Sequence, residues 1–227
     1  MGELPVLTEM TLRDGKPSPD SRFLPTLSQP RSPTAEAIRA LRTHTMARHL
    51  ALGRRAIVVC AASADSGCTF VAANLAVALA QGGSNTLLID ADLRNPGVDR
   101  IFRRPSAQGL QQYLEQPGSR PGDLIEPNVL PNLSVLFAGG AAANPEELLA
   151  GSRFDELVDF CLREFDATII DTPPANSSSD IGRICSVATY CAIVARRNKT
   201  FVNDVKLLTE QLRADGAQII GTVLCQD

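Results

Sequence analysis

Between Ile57 and Leu93 the chain reads IVVCAASADSGCTFVAANLAVALAQGGSNTLLIDADL, and no other stretch narrows its possible folds as far. A short apolar run, Ile57–Cys60, gives way to Ser63-Ala64-Asp65-Ser66-Gly67-Cys68-Thr69. Val71–Gln81 follows, rich in alanine and leucine, with Asn74 inside it. A second apolar run, Thr86–Ile89, ends in Asp90-Ala91-Asp92. Strand, small-residue loop, helix and a strand tipped with acids is the layout of a phosphate-binding loop unit. Such a loop aims successive backbone N–H groups at phosphate oxygens, at the positive end of a helix. A lysine in Gly-Lys-Ser/Thr neutralises phosphate charge, and the hydroxyl that follows holds Mg²⁺. Gly67 and Thr69 are in place, but Cys68 stands where the lysine belongs.

No nearby residue of the same type replaces it. The only lysines are Lys16, Lys199 and Lys206. Asp65 adds negative charge to a loop whose ligand is also negative. Losing one close charge contact to phosphate costs roughly 2–5 kcal/mol of affinity, a loss of tens- to thousands-fold. The first reading is therefore a relic loop on an intact fold. A thiol at a helix N-terminus opens a second reading, in which Cys68 has a lowered pKa and is redox-reactive. The strand-end acids Asp90, Asp92 and Asp171 suit Mg²⁺ coordination and proton abstraction from an attacking hydroxyl. A single such aspartate would be read as a turn cap; three argue descent from a nucleotide enzyme.

Residues 1–33 hold six prolines, scattered charges and no period, and read as a flexible tail. A helix from Thr34, as N-cap, to about Leu50 carries Glu36, Arg39 and Arg42 as a charged ridge. Apolar strands are expected at 56–61, 85–91, 133–137, 167–171, 189–195 and 218–224. Helices are expected at 69–81, 153–164, 180–187 and 202–215. Residues 117–131 read as loop. Strands apolar throughout, alternating with helices, predict a doubly wound, mainly parallel α/β sheet in one domain, residues 34–227. Its ligands bind at the carboxyl ends of the strands, where the loop after Ala61 and the three acids fall. The six cysteines form no CxxC pair and read as reduced residues of a cytosolic protein. A net charge of −3 gives no reason to expect a nucleic-acid surface. No apolar run approaches the ~20 residues that span a bilayer, so a membrane role is expected to come through a partner.

LLIDADLRNP, ATIIDTPP, TFVAANLAVALAQ and AGGAAANPEELLAGSRFDEL follow one another in this order. From Thr34 to Leu224 the chain resembles the bacterial tyrosine kinases of polysaccharide synthesis, the BY-kinases, within the MinD/ParA-type P-loop ATPases. The resemblance implies ATP or ADP with Mg²⁺, contacted by Asp65, Ser66, Gly67, Cys68, Thr69 and Phe70. It implies that Asp90 and Asp92 serve Mg²⁺ and an attacking tyrosine, and that Thr69 and Asp171 serve Mg²⁺. It implies that Glu36, Arg39 and Arg42 mediate self-association, or association with an active paralogue. It also implies docking on a membrane chain-length regulator of capsule or exopolysaccharide export, peripheral to the inner membrane. The family's C-terminal tyrosine cluster has no counterpart, since the only tyrosines are Tyr113 and Tyr190. With Cys68, this favours a pseudokinase. The alternatives are an active kinase or ATPase, in which Arg94 or a partner supplies the missing charge, and a positioning ATPase of the MinD/ParA type.

Overall fold

The computed structural model describes residues 18–104 and 108–226. Seven strands form one sheet: β1 (Ala56–Ala61), β2 (Thr86–Asp90), β3 (Glu126–Leu130), β4 (Leu133–Leu136), β5 (Ala167–Asp171), β6 (Tyr190–Arg196) and β7 (Gln218–Cys225). Their order across the sheet is β3-β4-β2-β5-β1-β6-β7. All neighbours run parallel except β3 and β4. Every residue of β1, β2 and β5 is buried, because helices cover both faces there, as unbroken apolar runs require. The order places β2, β5 and β1 side by side, so their carboxyl ends share one edge. Asp90 pairs with Asp171, and Asp171 pairs with Val59.

The helices are α1 (Pro25–Ser28), α2 (Pro33–Arg48), α3 (Cys68–Gln81), α4 (Val98–Phe102), α5 (Leu110–Glu115), α6 (Pro145–Ala150), α7 (Ser152–Glu164), α8 (Asp180–Ala188) and α9 (Val202–Ala214). On one face, Ile57, Val59 and Ala61 of β1 pack with α3 and α4. On the other, Val58 and Cys60 pack with α5, α7, α8 and α9. Helix α3 is buried from Val71 to Ala80. Its alanines fit that position: α3 lies between the sheet and α2, where large side chains would hold the layers apart.

Three expectations change. Helix α2 is capped by Ser32, whose Oγ accepts from Ala35 N at 3.1 Å, and ends at Arg48. The expected loop over 117–131 contains β3, the sheet's antiparallel edge strand; Pro127 is tolerated because an edge strand leaves alternate N–H groups unpaired. Residues 18–32, expected to belong to the tail, pack on the domain, while residues 1–17 lie outside the described residues. Leu24 is fully buried, and Asp20 N donates to Ile101 O at 2.8 Å. Asn74 fixes this segment from inside α3: its Nδ2 donates to Phe23 O at 2.8 Å and Phe70 O at 2.9 Å, and its Oδ1 accepts from Thr26 Oγ1. Asn74→Ala leaves these buried groups without partners. It is expected to lower stability by roughly 1–3 kcal/mol in urea unfolding.

Candidate nucleotide site

The loop between β1 and α3 owes its shape to two left-handed residues, Asp65 (φ 57°) and Gly67 (φ 88°). Gly67 is the N-cap of α3, where a side chain would be strained. Ser66 Oγ donates to Ser63 O at 2.6 Å and closes the loop on itself. From the end of β6, Arg196 Nη1 donates to Asp65 O at 3.1 Å. The loop forms one wall of a cleft of about 570 Å³. Opposite it stand Asp92, Arg94, Asn95 and Arg100 from the segment after β2, and Thr172–Pro174 after β5. Asp65, Ser66, Gly67, Cys68, Thr69 and Phe70 all line the cleft, so the structure brings the expected contact set together. Asp65 itself is exposed.

Cys68 Sγ donates to Val59 O at 3.0 Å, folded back onto β1. Burial, and then the neighbouring Asp171 carboxylate, push its thiol well above the usual range. Burial and the adjacent carboxyl thus act against the lowering that a helix N-terminus would give. The six cysteines are free, four of them buried, and Cys68 and Cys225 are part-exposed.

The three acids occupy different environments. Asp92 lines the cleft, and its Oδ1 accepts from Arg94 N at 3.1 Å and Asn95 N at 2.9 Å. Asp90 and Asp171 are fully buried and do not line the cleft. Asp90 Oδ1 accepts from Asp92 N, and Oδ2 from Gly97 N at 3.1 Å and Val98 N at 3.0 Å. Its carboxyl shapes the turn into α4. Asp90→Ala would leave those N–H groups unpaired and is expected to cost roughly 2–4 kcal/mol in denaturant unfolding. That loss would remove any activity through the fold, so Asp90→Ala is not a clean test of catalysis.

Asp171 is the reverse case: neither carboxylate oxygen has a hydrogen-bond partner, although the Thr69 and Cys68 side chains face it. A buried, unpartnered carboxylate beside a threonine hydroxyl fits a hard divalent cation. Thr69 and Asp171 would hold Mg²⁺, with phosphate oxygens completing its shell, and the ion would neutralise phosphate charge there. Asp90, the third member of the expected set, is the cross-strand partner of Asp171; among the described residues no group of three Asp, Glu, His or Cys side chains is placed to hold a metal. Asp90's oxygens are turned to the backbone N–H groups after β2.

Arg94, expected as a substitute cation, is engaged: its Nε donates to Asp180 Oδ2 at 2.9 Å. Sequence reasoning missed Asp180, Arg100 and the cleft-lining Phe23. Asp180 lies 86 residues from its partner, and Phe23 sits in a segment with no period to reveal it. On α2, Arg39 Nη2 pairs with Glu36 Oε2 at 2.6 Å. Arg42 points elsewhere, its Nη1 3.5 Å from Ala78 O in the last turn of α3. The ridge is therefore partly engaged within the chain.

The parallel sheet, the glycine-capped loop feeding α3 and the acids on adjacent strand ends define a P-loop NTPase-type domain. A scan against protein-family models returns no match. Over 196 residues the chain is 31% identical to a Staphylococcus aureus protein described as "Putative tyrosine-protein kinase CapB", covering 86% of each. It is 30% identical to tyrosine-protein kinase etk of Escherichia coli K12, covering 87% of this chain and 27% of that protein. The chain thus spans most of CapB and about a quarter of the longer relative. Among solved structures, the kinase domain of E. coli tyrosine kinase ETK superposes with a TM-score of 0.83 at 30% identity, over 90% of this chain and 79% of that one. The chimerical protein CapA2B2 gives 0.81 at 33%, over 91% of each. MinD from Pyrococcus horikoshii, complexed with Mg-ADP, gives 0.64 at 19% identity over 75% of this chain and 69% of that one, a likeness of fold alone. The chain belongs to the bacterial tyrosine-kinase (BY-kinase) family.

Proposed function

We propose that the protein is a pseudokinase of this family that regulates capsule or exopolysaccharide polymerisation and export as a docked scaffold. One observation carries the reading. At the position of the phosphate-binding lysine, a neutral thiol is folded onto Val59 O, beside a carboxylate with no partner. Phosphate would meet a buried, desolvated carboxyl there, with no cation from that position. The scaffold binds a membrane chain-length regulator and lies at the inner face of the membrane through it. Family membership and the existence of a CapA2B2 chimera support such a partner. Among the described residues no helix is long and apolar enough to cross a membrane, which is consistent with anchoring through a second protein. Glu36, Arg39 and Arg42 serve self-association or pairing with an active paralogue, with Arg42 also steadying α2 on α3.

A second reading is favoured by Asp171 and Thr69: a site that still takes Mg²⁺ with ATP or ADP, in a protein that is an active kinase or ATPase. Calorimetric titration with both nucleotides in Mg²⁺ separates the two. The scaffold reading expects no saturable heat below about millimolar ligand, some 4 kcal/mol of binding free energy. Micromolar binding would put the enzyme reading first.

A further inference from the structure

Arg94 stands on the cleft wall, but its guanidinium is turned onto acids at the starts of two helices, α6 and α8. Nε donates to Asp180 Oδ2 at 2.9 Å and Nη2 to Asp180 Oδ1 at 3.3 Å. Glu146 Oε1, at the start of α6, lies 3.6 Å from Nη2. The Asp180 side chain is 1% exposed and that of Arg94 36% exposed. A forked pair to a buried carboxylate is strong, yet the arginine still borders the space a phosphate would occupy. Its backbone is fixed by Asp92, whose Oδ1 accepts from Arg94 N. Only the side chain has to turn to reach a ligand. The other arginine on this wall, Arg100, is held by neutral groups, Asn95 Oδ1 and Pro96 O. Arg94 is held by two carboxylates, so a phosphate must compete with both.

We infer that Arg94 is a reserve phosphate-binding cation, held off the ligand by Asp180 and Glu146, and that this competition sets the nucleotide affinity of the cleft. The inference rests on the cleft being the nucleotide site. It gives the pair a regulatory meaning: a partner that draws Glu146 or the start of α8 away would arm the site without replacing Cys68. Asp180 and Glu146 act through Arg94 and are positioning residues.

The test titrates Mg·ATP into Asp180→Asn and Glu146→Gln by calorimetry, each with and without Arg94→Ala, and follows ligand-dependent thermal stabilisation as a second readout. With wild type giving no saturable heat below about millimolar ligand, Asp180→Asn is expected to bind at least about tenfold below that limit, and Glu146→Gln about threefold, because each removes one competitor for the guanidinium. Both gains, and the matching rise in melting temperature with ligand, should vanish when Arg94 is alanine. Unchanged or weaker binding in the folded variants overturns the inference, as does a gain that survives Arg94→Ala. If Asp180→Asn fails to fold, Glu146→Gln decides alone, since that side chain is 60% exposed. Cys68→Lys separates the two claims. Binding by Cys68→Lys without a gain in the other variants retires the role of Arg94 and keeps the site; no binding by any variant retires both.

Discussion

Metal-free protein is expected to lose stability as the pH rises from about 5 to about 8, the reverse of ordinary acid denaturation. The cause is the pair of carboxyls on adjacent strands, Asp90 and Asp171, cross-strand partners that are both fully buried. Burial is the largest influence on each. It raises Asp90 to about 7 against three backbone N–H groups that pull it down, with the Asp92 charge adding to the rise. Asp171 is also pushed well above the usual carboxylate range, first by burial and then by Asp90, with the facing Thr69 and Cys68 side chains pulling the other way. A carboxyl whose folded pKa exceeds its unfolded value binds its proton more tightly when folded. Its stabilisation is complete below an unfolded pKa of about 4 and fades as the pH passes through the folded value. The loss over this interval is expected to be roughly 2–4 kcal/mol, read from urea midpoints at several pH values in a chelating buffer. Asp171→Asn removes the buried anion. It should gain about 1–3 kcal/mol near pH 8 and flatten the profile. Added Mg²⁺ should act in the same direction on wild type and not on the variant. Asp20, held low by Arg22 and Arg103, acts only at acid pH, where its contribution is lost as the pH falls below its unfolded value. A flat profile for wild type between about pH 5 and about pH 8 would mean that the two carboxyls are solvated or separated.

The fold was legible where burial is two-sided. Strands β1, β2 and β5 are unbroken apolar runs because helices cover both of their faces, and the loop before α3 is marked by its small residues. Strand β3 was not legible: it is a half-exposed edge strand containing Pro127, and nothing in its composition separates it from a loop. Nor was the packing of residues 18–32, because that segment is held by the buried Leu24 and by Asn74, which takes the Phe23 carbonyl and the Thr26 hydroxyl, and isolated contacts of this kind leave no period in a sequence. At the site, the cleft-lining loop residues 65–70 and Asp92 followed from motif spacing, while Phe23 and Arg100 did not. The division of labour among the acids did not. Asp90 and Asp92 look equivalent in LLIDADLR, but the turn after β2 folds its N–H groups onto Asp90 and leaves Asp92 at the cleft. The engagement of Arg94 depends on Asp180, which only the crossing of two loops brings near. The replacement of lysine by Cys68 was plain in sequence. Its consequence, a neutral thiol that donates to Val59 and leaves Asp171 unpartnered, needed the geometry.

An intact P-loop fold disarmed at one side chain should be re-armed by restoring that side chain. Cys68→Lys tests it most directly. A lysine there would bring a cation to a cleft-lining position that the thiol leaves uncharged. Restoring one close charge contact to phosphate is worth roughly 2–5 kcal/mol, a gain of tens- to thousands-fold in affinity. Wild type and Cys68→Lys should be titrated side by side with ATP and ADP in Mg²⁺ by calorimetry. Wild type should show no saturable binding and the variant should bind in the micromolar range. Micromolar binding by wild type, unchanged or weakened by the lysine, would contradict this and show that another group already supplies the charge.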